Sequence, residues 1–172
     1  MAQPPSTDPG PRAMDGLVAR TDYPLYVITT ADAGAPSGCL AGFVTQCSID
    51  PPHLLVCVSR ANHTFAVARS AAGLAVHLLG ADQADLARVF GGLTGDTVDK
   101  FSRCAWRTGE TGVPVLEECA AWAEGRTLQR IDVGDHTAFV IEPVAGGTGT
   151  HPGQLTYKTA PDLDPGHPAD EA

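Results

Sequence analysis

Residues 37–64 read SGCLAGFVTQCSIDPPHLLVCVSRANHT, and their reading decides the fold. The first part, Gly38 to Thr45, mixes small and β-branched residues and predicts a strand. Its glycines would let a neighbouring backbone or a flat molecule come close. Asp50-Pro51-Pro52 must break that strand, because proline donates no ladder hydrogen bond and drives the preceding residue out of the helical region. His53–Val58 is a continuous apolar run of strand length, the pattern of a strand covered on both faces. Ser59–Thr64 then sets a cation, Arg60, among polar side chains at a predicted helix start. Orphan amides and the helix dipole favour an anion at such a place. An ordinary cap beside an exposed arginine is the plainer reading of the same residues.

Working outward, Tyr23–Thr30 has the aromatic and β-branched content of a first strand, and the turn residues of 31–36 fold it back as a hairpin. Thr64–Ser70 reads as a short helix and Leu74–Leu79 as a strand, with His77 a packed strand histidine. Asp82–Phe90 carries a capping Asp82 and Leu86, Val89 and Phe90 at helical spacing, and Gly91-Gly92 ends it. Thr94–Arg103 reads as a loop or irregular helix, and Trp106–Glu118 as a loop. Ala120–Asp132 and Thr137–Val144 are predicted strands joined by a tight turn in which Gly134 supplies positive φ. Side-chain parity in the first of them is poor, and a bulge near Gly125 would switch its faces. Gln154–Lys158 reads as a last short strand.

Several strands, two short helices and no βαβ alternation predict a mainly β chain: a closed antiparallel barrel with a few short peripheral helices. Residues 17–160 form the expected domain. Residues 1–16 and 161–172 are too polar and proline-rich to bury much area, and are expected to be disordered tails.

A net charge of −9 and a pI near 4.9 argue against nucleic acid or an anionic membrane as partner. No run reaches membrane-spanning length and no apolar signal core opens the chain, so a cytoplasmic protein is expected. The five cysteines are odd in number and lack CxxC spacing, which suggests neither a disulfide framework nor a zinc site. No GxGxxG follows a strand and no GxxxxGK[ST] occurs, so Rossmann and P-loop sites are unsupported.

In order along the chain, Gly38, Ser48, Pro51, Pro52, Arg60 and Thr64, then Lys100-Phe101 and Gly134-Asp135-His136, resemble the flavin reductase-like family. The resemblance runs to about Val144. It implies an FMN-binding split barrel and an NAD(P)H-dependent flavin reductase, passing hydride from NADH or NADPH to FMN, with FAD possible. It implies a flavin lying across Gly38, Leu40, Ala41, Gly42, Phe43, Thr45, Gln46, Cys47 and Ser48, its phosphate at Ser59, Arg60, Ala61, Asn62 and Thr64. Lys100 would neutralise a phosphate and Phe101 cover a ring face. His136 would lie near flavin and nicotinamide as the catalytic candidate. A solvated lysine, a core phenylalanine and an exposed turn histidine are the plain alternatives.

Relatives carry hydroxyl or amide side chains where this chain has Leu40, Gly42, Phe43 and Gln46. Backbone groups would therefore hold more of the flavin here. The family also implies a homodimer that hands reduced flavin to a partner monooxygenase or another acceptor. Two rival readings stand beside this one, since fold does not fix function. One is a non-catalytic flavin- or haem-binding barrel. The other is an oxidoreductase whose tightly held flavin or deazaflavin acts directly on a substrate.

Overall fold

The computed structural model describes residues 10–95 and 97–160. Its strands are β1 (Tyr26–Asp32), β2 (Ala35–Ala41), β3 (Val44–Ile49), β4 (Pro52–Ser59), β5 (Gly73–Leu78), β6 (Trp106–Thr108), β7 (Pro114–Leu116), β8 (Ala121–Val133) and β9 (His136–Thr148). Three helices, α1 (Gly10–Val18), α2 (His63–Ala68) and α3 (Ala84–Gly92), and a 3-10 turn at Lys100–Arg103 complete it. Seven strands form one antiparallel sheet in the order β2-β1-β5-β8-β9-β4-β3, while β6 and β7 pair separately.

The expected barrel is not closed. β2 and β3 are the two edges of the sheet and no ladder joins them. They are nevertheless consecutive in the chain, separated by Gly42-Phe43 alone. Three Cα–Cα steps reach about 11 Å at most, so the sheet curls until its edges nearly meet. The predicted strand Gly38–Thr45 is therefore two strands with a crossing between them. The cause lies in the Phe43 carbonyl, which accepts from the Cys57 amide of β4 at 2.9 Å and so draws the chain over to the opposite edge.

Alternation along β1 divides the core. Ile28 faces the interior of the curled sheet with Cys39, Val56, Val58, Leu74, Val76, Phe139 and Ile141, and Ala68 and Phe65 of α2 pack against that cluster. Val27 faces outward, where Leu25, Leu79, Ala87, Phe90, Phe101, Leu116 and Leu155 pack around α3 and the 3-10 turn. The bulge expected near Gly125 is present as a register shift between Glu124 and Gly125, and a second shift lies between Thr127 and Gln129. A Cβ at Gly125 would sit 2.2 Å from the Glu142 carbonyl oxygen, so glycine is required there. Gly134 turns the β8–β9 hairpin with φ of 83°.

Other expectations need correction. Residues 106–116, read as loop, contain the β6–β7 hairpin, fastened by buried polar side chains of the main sheet. Thr29 donates its hydroxyl to the Pro114 carbonyl. His77 Nδ1 bonds the Val27 carbonyl at 3.0 Å, and its Nε2 accepts from the Leu116 amide at 3.0 Å. The Glu124 carboxylate accepts from the amides of Glu110 and Thr111, at 2.8 and 3.3 Å, and from the Thr111 hydroxyl at 3.0 Å. Asp82 does not cap α3: Gln83 is the N-cap, and the Asp82 carboxylate meets His151 Nδ1 at 3.0 Å. The last predicted strand shrinks to one bridge between Pro24 and Thr156. Part of the expected N-terminal tail is helix α1, with Met14 and Leu17 exposed, while residues 1–9 and 161–172 lie outside the described residues. Among the described residues no helix is long and apolar enough to cross a membrane.

Candidate functional site

A cavity of about 650 Å³ opens where the end of β2, the Gly42-Phe43 crossing, the end of β4, the β8–β9 turn and segment 157–160 converge. Of the predicted residues, Leu40, Ala41, Gly42, Phe43, Ser59, Asn62 and His136 line it together. Tyr23, Leu25, Cys39, Cys57, Val58, Asp135, Tyr157, Lys158 and Ala160 line it too and were not anticipated. Only the tight turn hinted at Asp135. Tyr23 and Tyr157 are far apart in sequence, and nothing short of the Pro24–Thr156 pairing brings them together.

One wall of the cavity is a row of rings. Tyr157 and Tyr23 stack at 5.0 Å and 21°, Tyr23 meets Phe43 at 6.2 Å, and Phe43 meets His136 at 5.4 Å. The row depends on Gly42, because a Cβ there would lie 2.2 Å from the Tyr23 ring. Phe43 leaves 55 % of its surface exposed, high for a large apolar side chain in a folded chain.

At the other end His136 Nδ1 pairs with the Asp135 carboxylate at 2.9 Å. The hydrogen bond from His136, then its charge, holds the Asp135 carboxyl below the usual carboxylate range. Burial pushes the Cys39 thiol up to about 11 and raises that of Cys57, so both stay protonated at neutral pH and offer no thiolate. Asn62 caps α2, its side chain accepting from the Thr64 amide at 2.9 Å.

The remaining predicted residues lie elsewhere. Thr45, Gln46 and Cys47 are exposed on edge strand β3 beyond the crossing, with Ser48 half-buried beside them. Arg60 sits at the rim, its guanidinium on the Gly134 carbonyl and its amide on the Asp135 carbonyl at 3.0 Å, so it ties the α2 loop to the β8–β9 turn. The Ala61 amide turns back to the Ser59 hydroxyl at 3.3 Å. Thr64 is buried, its hydroxyl accepting from Ser37 at 3.1 Å. Gly38, Lys100 and Phe101 border a second cavity of about 430 Å³. Lys100 is buried, with Nζ donating to the Gly38 and Phe90 carbonyls, each at 3.1 Å. Phe101 is wedged edge-on between Phe90 and Trp106 in the outer core. Among the described residues no group of three or more His, Cys, Asp or Glu is placed to hold a metal ion.

Comparison with known proteins agrees with this geometry. The model of the flavin reductase like domain matches residues 18–160. A probable flavin reductase of Rhizobium meliloti is 32% identical over 76% of this chain, which spans only 41% of that relative's length. An FMN reductase (NADH) RutF of Enterobacter cloacae is 34% identical over 81% of this chain and 84% of its own. Among solved structures, BorF, the flavin reductase component of a bacterial two-component tryptophan halogenase, superposes with a TM-score of 0.75 and 26% identity, covering 89% of this chain and 99% of that one. The chain belongs to the flavin reductase-like domain family.

Proposed function

We propose that the chain is an NADH-dependent flavin reductase whose 650 Å³ cavity takes the flavin ring system, with FMN as the flavin reduced. The observation that carries this reading is the convergence of Leu40–Phe43, Ser59, Asn62 and His136 on one slot with a flat aromatic wall. The residues fit a flavin. Gly42 and Ala41 end early, so a planar ring can lie close against the strand. Leu25, Leu40 and Val58 supply an apolar lining, and polar groups gather at one end, the usual make-up of a cofactor site.

When bound, the flavin supplies the ring nitrogen that accepts hydride from a nicotinamide C4 carbon. The chain's own task is to stack and orient two flat rings and to keep water from between them. Phe43 and Tyr23 form the wall, and Ser59 and Asn62 receive the polar side chain of the flavin. Arg60 and Lys100 are the nearby cations for a phosphate. His136, steadied by Asp135, orients the rings at the open side through a hydrogen bond. Reduced flavin then passes to a partner monooxygenase or another acceptor.

A homodimer closes the open side of the slot. Ile131 and Val133 support this, standing 45% and 48% exposed near the β8–β9 turn. Light scattering at micromolar concentration should therefore show twice 17.8 kDa, and a monomer with and without FMN defeats the dimer.

The decisive assay follows loss of NADH absorbance by the purified chain, with and without added FMN, and again with NADPH. Oxidation of NADH that depends on added FMN is expected. Flavin binding without turnover would instead favour the non-catalytic binding protein.

A further inference from the structure

We propose that the Tyr23–Tyr157 end of the main cavity is an adenine subsite, which makes the slot a dinucleotide site rather than a mononucleotide one. The inference rests on the flavin reading of that slot and goes beyond it, to the other half of the ligand. The ring wall has two distinct ends. His136, Ser59 and Asn62 mark the polar end beside Arg60, whereas the far end holds the stacked phenols and Lys158. Four rings in succession, at 5.0, 6.2 and 5.4 Å, offer more stacking surface than one ring system covers.

The far end is built rather than incidental. The Tyr157 amide donates to the Tyr23 carbonyl at 2.9 Å, the Leu25 amide to the Leu155 carbonyl at 2.8 Å, and the Lys158 amide to Asp22 Oδ1 at 3.0 Å. These links hold the two phenols in register before any ligand arrives, so little ordering is left to be done on binding. Tyr157 nevertheless stands 58% exposed, leaving its face available. A purine is flat and stacks on phenol rings without needing a particular edge pattern. The Lys158 ammonium suits the phosphates that any adenine dinucleotide carries next to its ribose. Asp22, the acidic group beside it, is turned to the backbone of segment 156–158 and of Tyr23, which lowers its pKa.

Both FAD and NADH carry adenosine diphosphate, and the test separates them. Wild type, Tyr157→Ala and Tyr157→Trp are titrated with ADP, FMN and FAD, and the KM is measured for NADH and for the adenine-free reduced nicotinamide mononucleotide. Tyr157→Ala should weaken ADP by roughly 5- to 150-fold, the range for truncating a base-stacking ring, and Tyr157→Trp should retain it. If the adenine is the flavin's, FAD falls with ADP while FMN moves less than about twofold. If it is the nicotinamide donor's, the KM for NADH rises and that for the mononucleotide does not. Parallel losses of FMN and FAD, or no change in ADP, FAD or NADH, overturn the proposal. Failure of wild type to bind either flavin would sink the flavin reading alone, because the ADP titration still reports on the phenol pair. Thermal unfolding of Tyr157→Ala checks that the fold is intact.

Discussion

The buttress under the β6–β7 hairpin and the wall of the main cavity treat side chains in opposite ways. In the buttress, His77 and Glu124 are wholly buried and their polar atoms are matched to backbone groups of a neighbouring segment. In the cavity wall, the large rings of Phe43 and Tyr157 are more than half exposed and touch one another across gaps. A perturbed, buried titratable group is a common sign of a catalytic centre. Here it marks scaffold instead. Hydride transfer between two bound rings asks for flat surfaces and orientation, so the site spends apolar area rather than shifted carboxylates.

The contrast can be broken hardest at Glu124. Glu124→Ala strands two amides and a hydroxyl inside the protein and should cost on the order of 4 kcal/mol in denaturant unfolding. Flavin affinity measured well below the unfolding transition should hardly move.

Next comes His77, whose pKa burial pushes down from 6.5 to about 4. The unfolded chain takes up a proton that the folded chain refuses. Stability is thus full above about pH 6.5 and falls as pH drops towards 4, by roughly 3 kcal/mol at about 1.4 kcal/mol per pH unit. His77→Gln should remove that share of the pH slope, and an unchanged slope would show that His77 protonates in the fold.

On the other side of the contrast, Gly42→Ala puts a methyl where the Tyr23 ring lies and must displace it. We expect roughly tenfold weaker flavin binding by fluorescence titration, about 1.4 kcal/mol, with a smaller change in stability. Equal losses in both would place Tyr23 with the scaffold. The smallest effect is expected from Arg60→Ala. Its guanidinium has five donors and is committed to the Gly134 carbonyl through one nitrogen. FMN should weaken about three- to tenfold and riboflavin less, and equal losses would reduce Arg60 to a brace for the turn.

Much of this was legible in the sequence because it depends on local chemistry. The apolar run of β4, the proline break before it, the Gly134 turn and the parity fault at Gly125 each have a local physical cause. Leu40–Phe43 and His136 could be named because the resemblance supplied their register. The Gly42-Phe43 break was hidden, since a strand that leaves one sheet edge for the other keeps strand-like composition throughout. Tyr23 and Tyr157 were invisible for a different reason: their stacking is made by a pairing 133 to 134 residues apart in the chain, Pro24 with Thr156 and Tyr23 with Tyr157. Lys100 is a half success. Its neighbourhood with Gly38 was anticipated, but its burial under Phe90 was not readable from a polar loop.

The two-residue crossing has a consequence for how such a slot changes width. The seam between β2 and β3 is spanned by covalent chain and by no ladder, so its girth is set by tether length alone. One inserted residue adds up to about 3.5 Å of slack without disturbing a strand pair or either core cluster. Slot width and scaffold integrity are therefore separate variables in this chain, and a fitting for larger or smaller rings can be retuned at residues 42–43 while everything that keeps the molecule folded stays as it is.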